Sequence, residues 1–343
     1  MHSVLFIVAA VGLLAASIYV WTSVTRRWFQ GMALVEPEPR DAPCWGPLDV
    51  VLAIILLLTF SSLAHAAVSQ WFDLAVGTPP PRGAVSYHYW NILASAFASL
   101  ATLATTAAVI MLRCRVSLRA FGFVPETAWR DVGLGIKAFL AFAPPVYVLQ
   151  YLLVQWVDSK HPIVELLRDH PEPRLILASL GSAVVVAPLV EEFLFRGLFQ
   201  GWLEKLVSRN TSVERLRPGE IAERQQPSAM GSERLASEQG TWNHDPNPYA
   251  PATPDVKPAG AGNPVGGTEY PTGFVGALPV LASSTLFAAL HMAHGPDWIP
   301  LFFLALGLGY LYRQTHRLLP CVTVHLLLNG CSMGMLLLEL LAR

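Results

Sequence analysis

Residues 50–72, VVLAIILLLTFSSLAHAAVSQWF, contain no Asp, Glu, Lys or Arg. A helix needs about 20 consecutive, mostly apolar residues to cross the roughly 30 Å hydrocarbon core of a bilayer, and this stretch is long enough. It therefore predicts a membrane-spanning helix. The fold class depends on how many such stretches the chain contains.

Seven further stretches share this absence of charged residues. They are 4–24, 90–112, 138–157, 175–190, 274–296, 298–312 and 318–338. The fifth and seventh of the eight are short for a span, so we expect their helices to continue past the flanking charges. The sequence thus predicts an all-α, polytopic membrane protein with eight transmembrane helices.

Composition points to the same class. Of 343 residues, 53% are apolar and only 14% are charged, whereas soluble domains have about 25% charged residues. The net charge of −1 gives no basic footprint for nucleic acid, so we expect the lipid bilayer and no nucleic acid as a partner. The four cysteines have no CxxC spacing, which indicates neither a disulfide scaffold nor a thiolate metal site.

The distribution of positive charge predicts the orientation. No positive residue precedes the first span and Arg26-Arg27 follow it, which favours an anchor with an external N-terminus over a cleavable signal peptide. With that orientation, the inner segments 25–49, 113–137 and 313–317 carry ten Lys or Arg residues and the outer segments carry five. The positive-inside rule then places both termini outside. We expect a multi-pass protein of a bacterial-type plasma membrane.

Residues 207–272 differ in composition from the rest of the chain. They hold nine of the 27 prolines and 14 of the 47 charged residues. Such a segment cannot bury enough apolar surface to offset its chain entropy, so it predicts a disordered cytoplasmic loop. We therefore divide the chain into a four-helix membrane region, 1–173, and a second membrane region, 174–343, which this loop interrupts.

Ionisable residues inside the fifth span are the first functional signal. Glu191, Glu192 and Arg196 stand where an ionisable group costs roughly 2.5–3.5 kcal/mol and usually faces a cavity. Glu192 and Arg196 are four residues apart, which predicts an ion pair on one helix face. Glu191 points about 100° away and can face a different neighbour.

Two other spans carry polar residues at the same spacing. Phe287 and His291 are four residues apart in the sixth span, as are His325 and Asn329 in the eighth. Either histidine alone is more often a hydrogen-bonding group between helices than a catalyst. Together with the glutamates, however, the two imidazoles and the amide supply the groups needed to activate water and to stabilise an oxyanion.

The motifs EExxxR, FxxxH and HxxxN resemble those of the CPBP intramembrane protease family. That family includes the type II CAAX prenyl endopeptidases and the bacteriocin-immunity, or Abi-type, proteins. The resemblance covers about 174–341 without the loop. It implies an eight-helix bundle with a polar cavity that opens toward the cytoplasm or the inner leaflet. It also implies a peptide or protein substrate that is lipidated or embedded in the membrane.

The resemblance also implies roles for the motif residues. Glu191 and His291 would orient and deprotonate a water, His325 and Asn329 would stabilise the oxyanion, and Arg196 would hold Glu192. The family is described both as metalloproteases and as glutamate-dependent proteases without metal, so the cofactor stays open. If a metal is bound, Glu191, His291 and His325 are the expected ligands and zinc is the expected ion.

Other intramembrane proteases fit the sequence less well, because the chain has no HExxH motif, no GxSG-like serine in a span and no pair of intramembrane aspartates. The alternative from another class is a transporter or a non-catalytic membrane scaffold or immunity protein, since buried Glu and His also serve as proton relays. The absence of an inverted repeat, and the clustering of the polar residues in one half of the chain, favour the protease.

Overall fold

The computed structural model describes residues 2–39, 42–75, 84–157, 162–215 and 273–342. Within these ranges the regular structure is helical and includes no β-strand. The predicted all-α class is therefore confirmed.

Each predicted span coincides with a helix. The helices outside the fifth span are α1 His2–Phe29, α2 Pro47–Trp71, α3 Val85–Cys114, α4 Ala128–Val154, α5 Pro162–Asp169, α7 Gly273–Leu290, α8 Trp298–Thr315 and α9 Leu318–Ala342. Short 3-10 turns occupy Leu118–Phe121, Pro125–Thr127 and Met292–His294. The short amphipathic helix α5 lies between the fourth and fifth spans and was not predicted.

The fifth span is one long helix, α6, in which α-helical and π-helical segments alternate. In order, they are α-helical Pro173–Leu180, π-helical Gly181–Val186, α-helical Ala187–Glu192, π-helical Phe193–Gln200 and α-helical Gly201–Arg215. The predicted continuation of this span past its glutamates is confirmed. Segments of π-helix are rare and occur often at functional sites. The π-helical segment that begins directly after Glu192 therefore indicates a functional site in this part of α6.

Within the described ranges, six helices are long and apolar enough to cross a membrane. They are Pro47–Trp71, Val85–Cys114, Pro125–Val154, Pro173–Ser208, Gly273–Leu290 and Leu318–Ala342. The helices α1 and α8 are not among the six, so the predicted count of eight spans is not confirmed. In α8 the closing sequence Tyr310-Leu311-Tyr312-Arg313-Gln314-Thr315 is too polar to extend the apolar part of the helix.

The helix of the sixth span is shorter than the predicted 274–296. It ends at Leu290, so His291 lies just beyond the last helical residue rather than inside the helix. Gly295 adopts a φ of 95°, a conformation that favours glycine, and Pro296 follows it. The α-helix thus gives way to the 3-10 turn Met292–His294, and Gly295 and Pro296 end the helical stretch after it.

The predicted disordered loop begins too early in the sequence. Residues 207–215 form the end of α6, and the stretch contains no proline or glycine before Pro218-Gly219. The remainder of the predicted loop, 216–272, lies outside the described residues.

Replacing residues 216–272 with a short Gly/Ser linker is expected to leave the thermal unfolding temperature of the detergent-solubilised protein nearly unchanged. The reason is compositional, since a segment rich in proline and charge offers little apolar surface to bury. Differential scanning fluorimetry of the shortened and the full-length chain measures this. A large drop in the unfolding temperature would show that the segment packs on the helices.

The helices around the candidate site pack closely because small residues stand where they cross. A Cβ atom added to Gly135 of α4 would lie 2.5 Å from Cβ of Thr323 and 2.8 Å from the carbonyl oxygen of Pro320, both on α9. Small residues at such crossings let membrane helices approach closely. As a result, α4 supports α9 along the segment that carries His325.

Candidate active site

Glu192 and Arg196 form the fully buried base of the site. Both side chains have 0% exposure, and Nε of Arg196 lies 3.2 Å from Oε2 of Glu192, so the predicted ion pair is present. Nη2 of Arg196 also donates to the carbonyl oxygen of Ala305 on α8 at 3.4 Å. The guanidinium carbon lies 4.9 Å from the ring centroid of Phe287 on α7. One guanidinium therefore links α6, α7 and α8.

The second oxygen of Glu192 holds His325. Nδ1 of His325 lies 2.9 Å from Oε1 of Glu192, and the imidazole is buried. Oε1 belongs to a carboxylate that is paired with a guanidinium, and a carboxylate accepts hydrogen bonds. Nδ1 is thus the donor, and Nε2 points out of this pair.

Glu191 faces the opposite edge of the same imidazole. Its Oε2 lies 3.7 Å from Nε2 of His325, and the Glu191 side chain is 28% exposed whereas that of Glu192 is fully buried. Two adjacent glutamates therefore flank one imidazole, one at each ring nitrogen. Glu191 is the carboxylate that water and substrate can reach.

His291 is oriented by its own backbone. Its Nδ1 lies 2.7 Å from the carbonyl oxygen of Phe287, and since a carbonyl only accepts, Nδ1 carries the proton. In the neutral ring Nε2 is then an acceptor. The ring packs on Phe287 at 4.6 Å between centroids, and Phe287 in turn contacts His325 at 5.9 Å.

Asn329 lies one helical turn beyond His325 and contacts α6. Its Nδ2 donates to the carbonyl oxygen of Ala183 at 2.8 Å, in the first π-helical segment. An amide group has two N–H bonds, so one remains for another acceptor. The structure thus gives Asn329 a bond between two helices. Its predicted role at an oxyanion stays a prediction.

Asn329→Ala is expected to lower peptide cleavage by about 10²-fold, because an amide donor at a developing oxyanion has an effect of this size. Loss of the bond to Ala183 should cost only about 1 kcal/mol of stability. Initial cleavage rates and thermal unfolding of the purified protein separate the two effects.

Tyr147→Phe is the matched control, because the Tyr147 hydroxyl likewise forms a hydrogen bond between two helices. It donates from α4 to the carbonyl oxygen of Leu328 on α9. It should keep activity close to wild type. Equal activity losses in Asn329→Ala and Tyr147→Phe would assign Asn329 to helix packing alone.

Among the described residues, no three His, Cys, Asp or Glu side chains are grouped closely enough to hold a metal ion. Nδ1 of His291 is bonded to Phe287 and Nδ1 of His325 to Glu192, which leaves Nε2 of each ring outside these bonds. Metal binding by Glu191, His291 and His325 stays a prediction, and no step of the chemistry below passes through a metal.

Sequence reasoning missed two backbone groups that orient the site. They are the carbonyl of Ala305, which accepts from Arg196, and the carbonyl of Ala183, which accepts from Asn329. A backbone carbonyl has no signature in the sequence, because every residue carries one.

Comparison with known proteins supports the motif resemblance. Residues 268–331 match the family model described as type II CAAX prenyl endopeptidase Rce1-like. The match contains Phe287, His291, His325 and Asn329 and begins after the Glu191-Glu192 motif. The resemblance to the CAAX protease family is therefore confirmed. No curated protein and no solved structure matches the chain.

Proposed function

Because residues 268–331 are similar to the CAAX endopeptidases, we propose that this multi-pass membrane protein is an intramembrane endopeptidase that hydrolyses peptide bonds with a water activated by Glu191. One observation carries the proposal. The His325 imidazole lies between a buried glutamate paired with arginine and a second glutamate that is partly exposed.

Glu191 is the general base of the proposed reaction. Its carboxylate accepts a proton from water, and the water oxygen attacks the carbonyl carbon of the substrate peptide bond. When the C–N bond breaks, the proton held by Glu191 passes to the leaving amine nitrogen. Nε2 of His291, an acceptor in the neutral ring, holds the second hydrogen of the water.

His325 stabilises the negative charge that develops on the substrate carbonyl oxygen. Nδ1 of His325 is bonded to Glu192, so Nε2 is the ring nitrogen that faces the substrate, and in the imidazolium form it carries a hydrogen. That N–H donates to the oxyanion, and the second N–H of Asn329 is the further donor. A site shielded from bulk water strengthens both interactions.

Arg196 and Glu192 position these groups and take no part in proton transfer. Both side chains are fully buried, so neither can touch a substrate. Their ion pair fixes Glu192, which in turn fixes the tautomer and the orientation of His325.

The proposed substrate is a peptide or protein segment at the membrane, of the lipidated or membrane-embedded kind. Positive charge on the predicted inner segments favours a site that opens toward the cytoplasm, in a bacterial-type plasma membrane.

Cleavage of a panel of quenched fluorescent peptides by purified protein, with Glu191→Ala as the control, tests the proposal. The panel contains C-terminal peptides with and without a prenylated cysteine. Cleavage by wild type that is lost in Glu191→Ala supports the protease. If folded wild type and Glu191→Ala are equally inert across the panel, the transporter or the non-catalytic scaffold or immunity protein becomes the better interpretation.

A further inference from the structure

A row of buried polar side chains runs along α6 away from the active site. At every fourth position the residue is polar and at most 3% exposed. These residues, here called the α6 polar stripe, are Glu192, Arg196, Gln200, Glu204 and Ser208. Polar groups are costly in the interior of a membrane protein unless they find hydrogen-bond partners, so a row of five requires an explanation.

The stripe faces backbone carbonyls of α8. Arg196 donates to Ala305, and one turn further along both helices Nε2 of Gln200 donates to the carbonyl oxygen of Gly309 at 2.8 Å. Nε2 of Gln200 also lies 2.9 Å from Oε1 of Glu204. The polar side chains of α6 therefore follow the backbone of α8 along the interface between the two helices.

Gly309 makes room for the stripe. A Cβ atom at this position would lie 3.0 Å from Oε1 of Gln200 and 2.8 Å from Cγ1 of Val280. Any larger residue would push into the space beside the Gln200 amide. The interface is therefore shaped around a polar group rather than packed with apolar side chains.

Five buried atoms of the stripe lack a hydrogen-bond partner among the described residues. Two of them, Oε2 of Glu192 and Nε of Arg196, face each other in the ion pair. The other three are Nη1 of Arg196, Oε1 of Gln200 and Oε2 of Glu204. Oε2 of Glu204 lies 3.4 Å from Nε2 of His316, at the turn between α8 and α9, without the alignment of a hydrogen bond. Buried polar atoms of this kind are usually satisfied by ordered water.

The proposed hydrolysis requires a supply of water at the active site. Each peptide bond that is cleaved consumes one water molecule, and the Glu191 site lies among apolar helices. We propose that the α6 polar stripe binds a file of water molecules that runs from the Glu192–Arg196 pair to the Glu204–His316 pair and resupplies the active site. The supply role rests on the proposed function, whereas the binding of water does not.

Two oxidisable rings lie beside the stripe and can report the water. Trp45 and Tyr312 both have 0% exposure. A Cβ atom added to Gly201, the residue after Gln200, would lie 3.4 Å from Cζ2 of Trp45 and 3.4 Å from the Tyr312 hydroxyl. X-ray hydroxyl-radical footprinting generates radicals from bound water as well as bulk water. Its products are read by mass spectrometry of the full-length protein in lipid nanodiscs.

We expect both rings to be oxidised in the wild type despite their burial. Gln200→Leu replaces the central amide with an apolar side chain and should reduce oxidation of Tyr312 several-fold. Glu204→Gln keeps a polar group at its position and should leave the oxidation of Tyr312 unchanged. Tyr151, 66% exposed on α4, is the internal dose reference. Thr102→Val, which removes a buried hydroxyl from α3, is the control variant and should change neither ring.

Absence of oxidation at Trp45 and Tyr312 in folded wild type would overturn the proposal, even if Gln200→Leu fails to fold. So would equal oxidation of Tyr312 in wild type and folded Gln200→Leu. The outcome is separable from that of the proposed function, because footprinting requires no peptidase activity. If the rings are oxidised and the Glu191→Gln variant still cleaves peptide normally, the water file is supported and the mechanism that uses Glu191 is contradicted.

Discussion

Glu191→Gln is expected to lower peptide cleavage by at least ~10²-fold at unchanged thermal stability. Glutamine keeps the shape and hydrogen-bonding capacity of the side chain but cannot accept the proton of the attacking water. Glu191 is 28% exposed and takes no part in the Glu192–Arg196 pair, so its neutralisation should not unfold the protein. Initial rates on a matched peptide, together with thermal unfolding, measure both quantities.

His291→Ala is expected to be comparably severe, because Glu191 and His291 act on the same water. The double variant should be little worse than either single one, since groups that work as a unit are not additive. Glu36→Gln, at a glutamate 84% exposed, is the control and should cleave like wild type. If the fold-losses in cleavage rate of the two single variants multiply in the double variant, the two residues act in separate steps.

Arg196→Ala is expected to destabilise the protein by about 3–5 kcal/mol and to reduce the folded yield, because it leaves a buried carboxylate without its partner. The substitution also removes the bond to Ala305 and the contact with Phe287. Arg196→Lys should rescue only part of this loss, since an ammonium lacks the planar fork of a guanidinium. Folded yield from size-exclusion chromatography and thermal unfolding are the measurements.

Arg168→Ala provides the matched control. Arg168 forms an ion pair with Glu339 at 2.8 Å, and both side chains are at least 40% exposed, so its loss should cost at most about 1 kcal/mol. If Arg196→Ala keeps full yield and stability while losing activity, Arg196 belongs to the chemistry and not to the positioning of Glu192.

The helical fold could be predicted from the sequence because an uncharged, apolar stretch of about 20 residues is long enough to form a membrane-spanning helix. The number of spans does not follow with the same certainty. In α8 the absence of charge was treated as sufficient, although Tyr310, Tyr312 and Gln314 make the end of that helix polar. The end of α7 was missed because the uncharged stretch continues past Leu290, although the α-helix there changes to a short 3-10 turn before Gly295 and Pro296.

Within one helix, residue spacing was enough to predict the Glu192–Arg196 pair, because the helical period fixes which side chains share a face. The contacts of His325 with both glutamates could not be derived in this way. They depend on how α9 packs against α6, and no sequence period links two helices. The motif resemblance brought these residues to one site but gave His325 no glutamate partner.

The buried row at Gln200, Glu204 and Ser208 has the same four-residue spacing as the predicted pair, and it was visible in the sequence. The spacing was followed only as far as Arg196, where the EExxxR motif ends. Their burial depends on α8, where Gly309 leaves room for the Gln200 amide.

Peptide cleavage in heavy-oxygen water tests the central claim most directly. Wild type and Glu191→Gln are incubated with the same peptide, and the products are analysed by mass spectrometry. We predict that wild type forms a product whose new carboxyl group carries one heavy oxygen, and that Glu191→Gln forms it at least ~10²-fold more slowly. Formation of the labelled product at equal rates by both proteins, or a cleavage product without the label, would contradict the account.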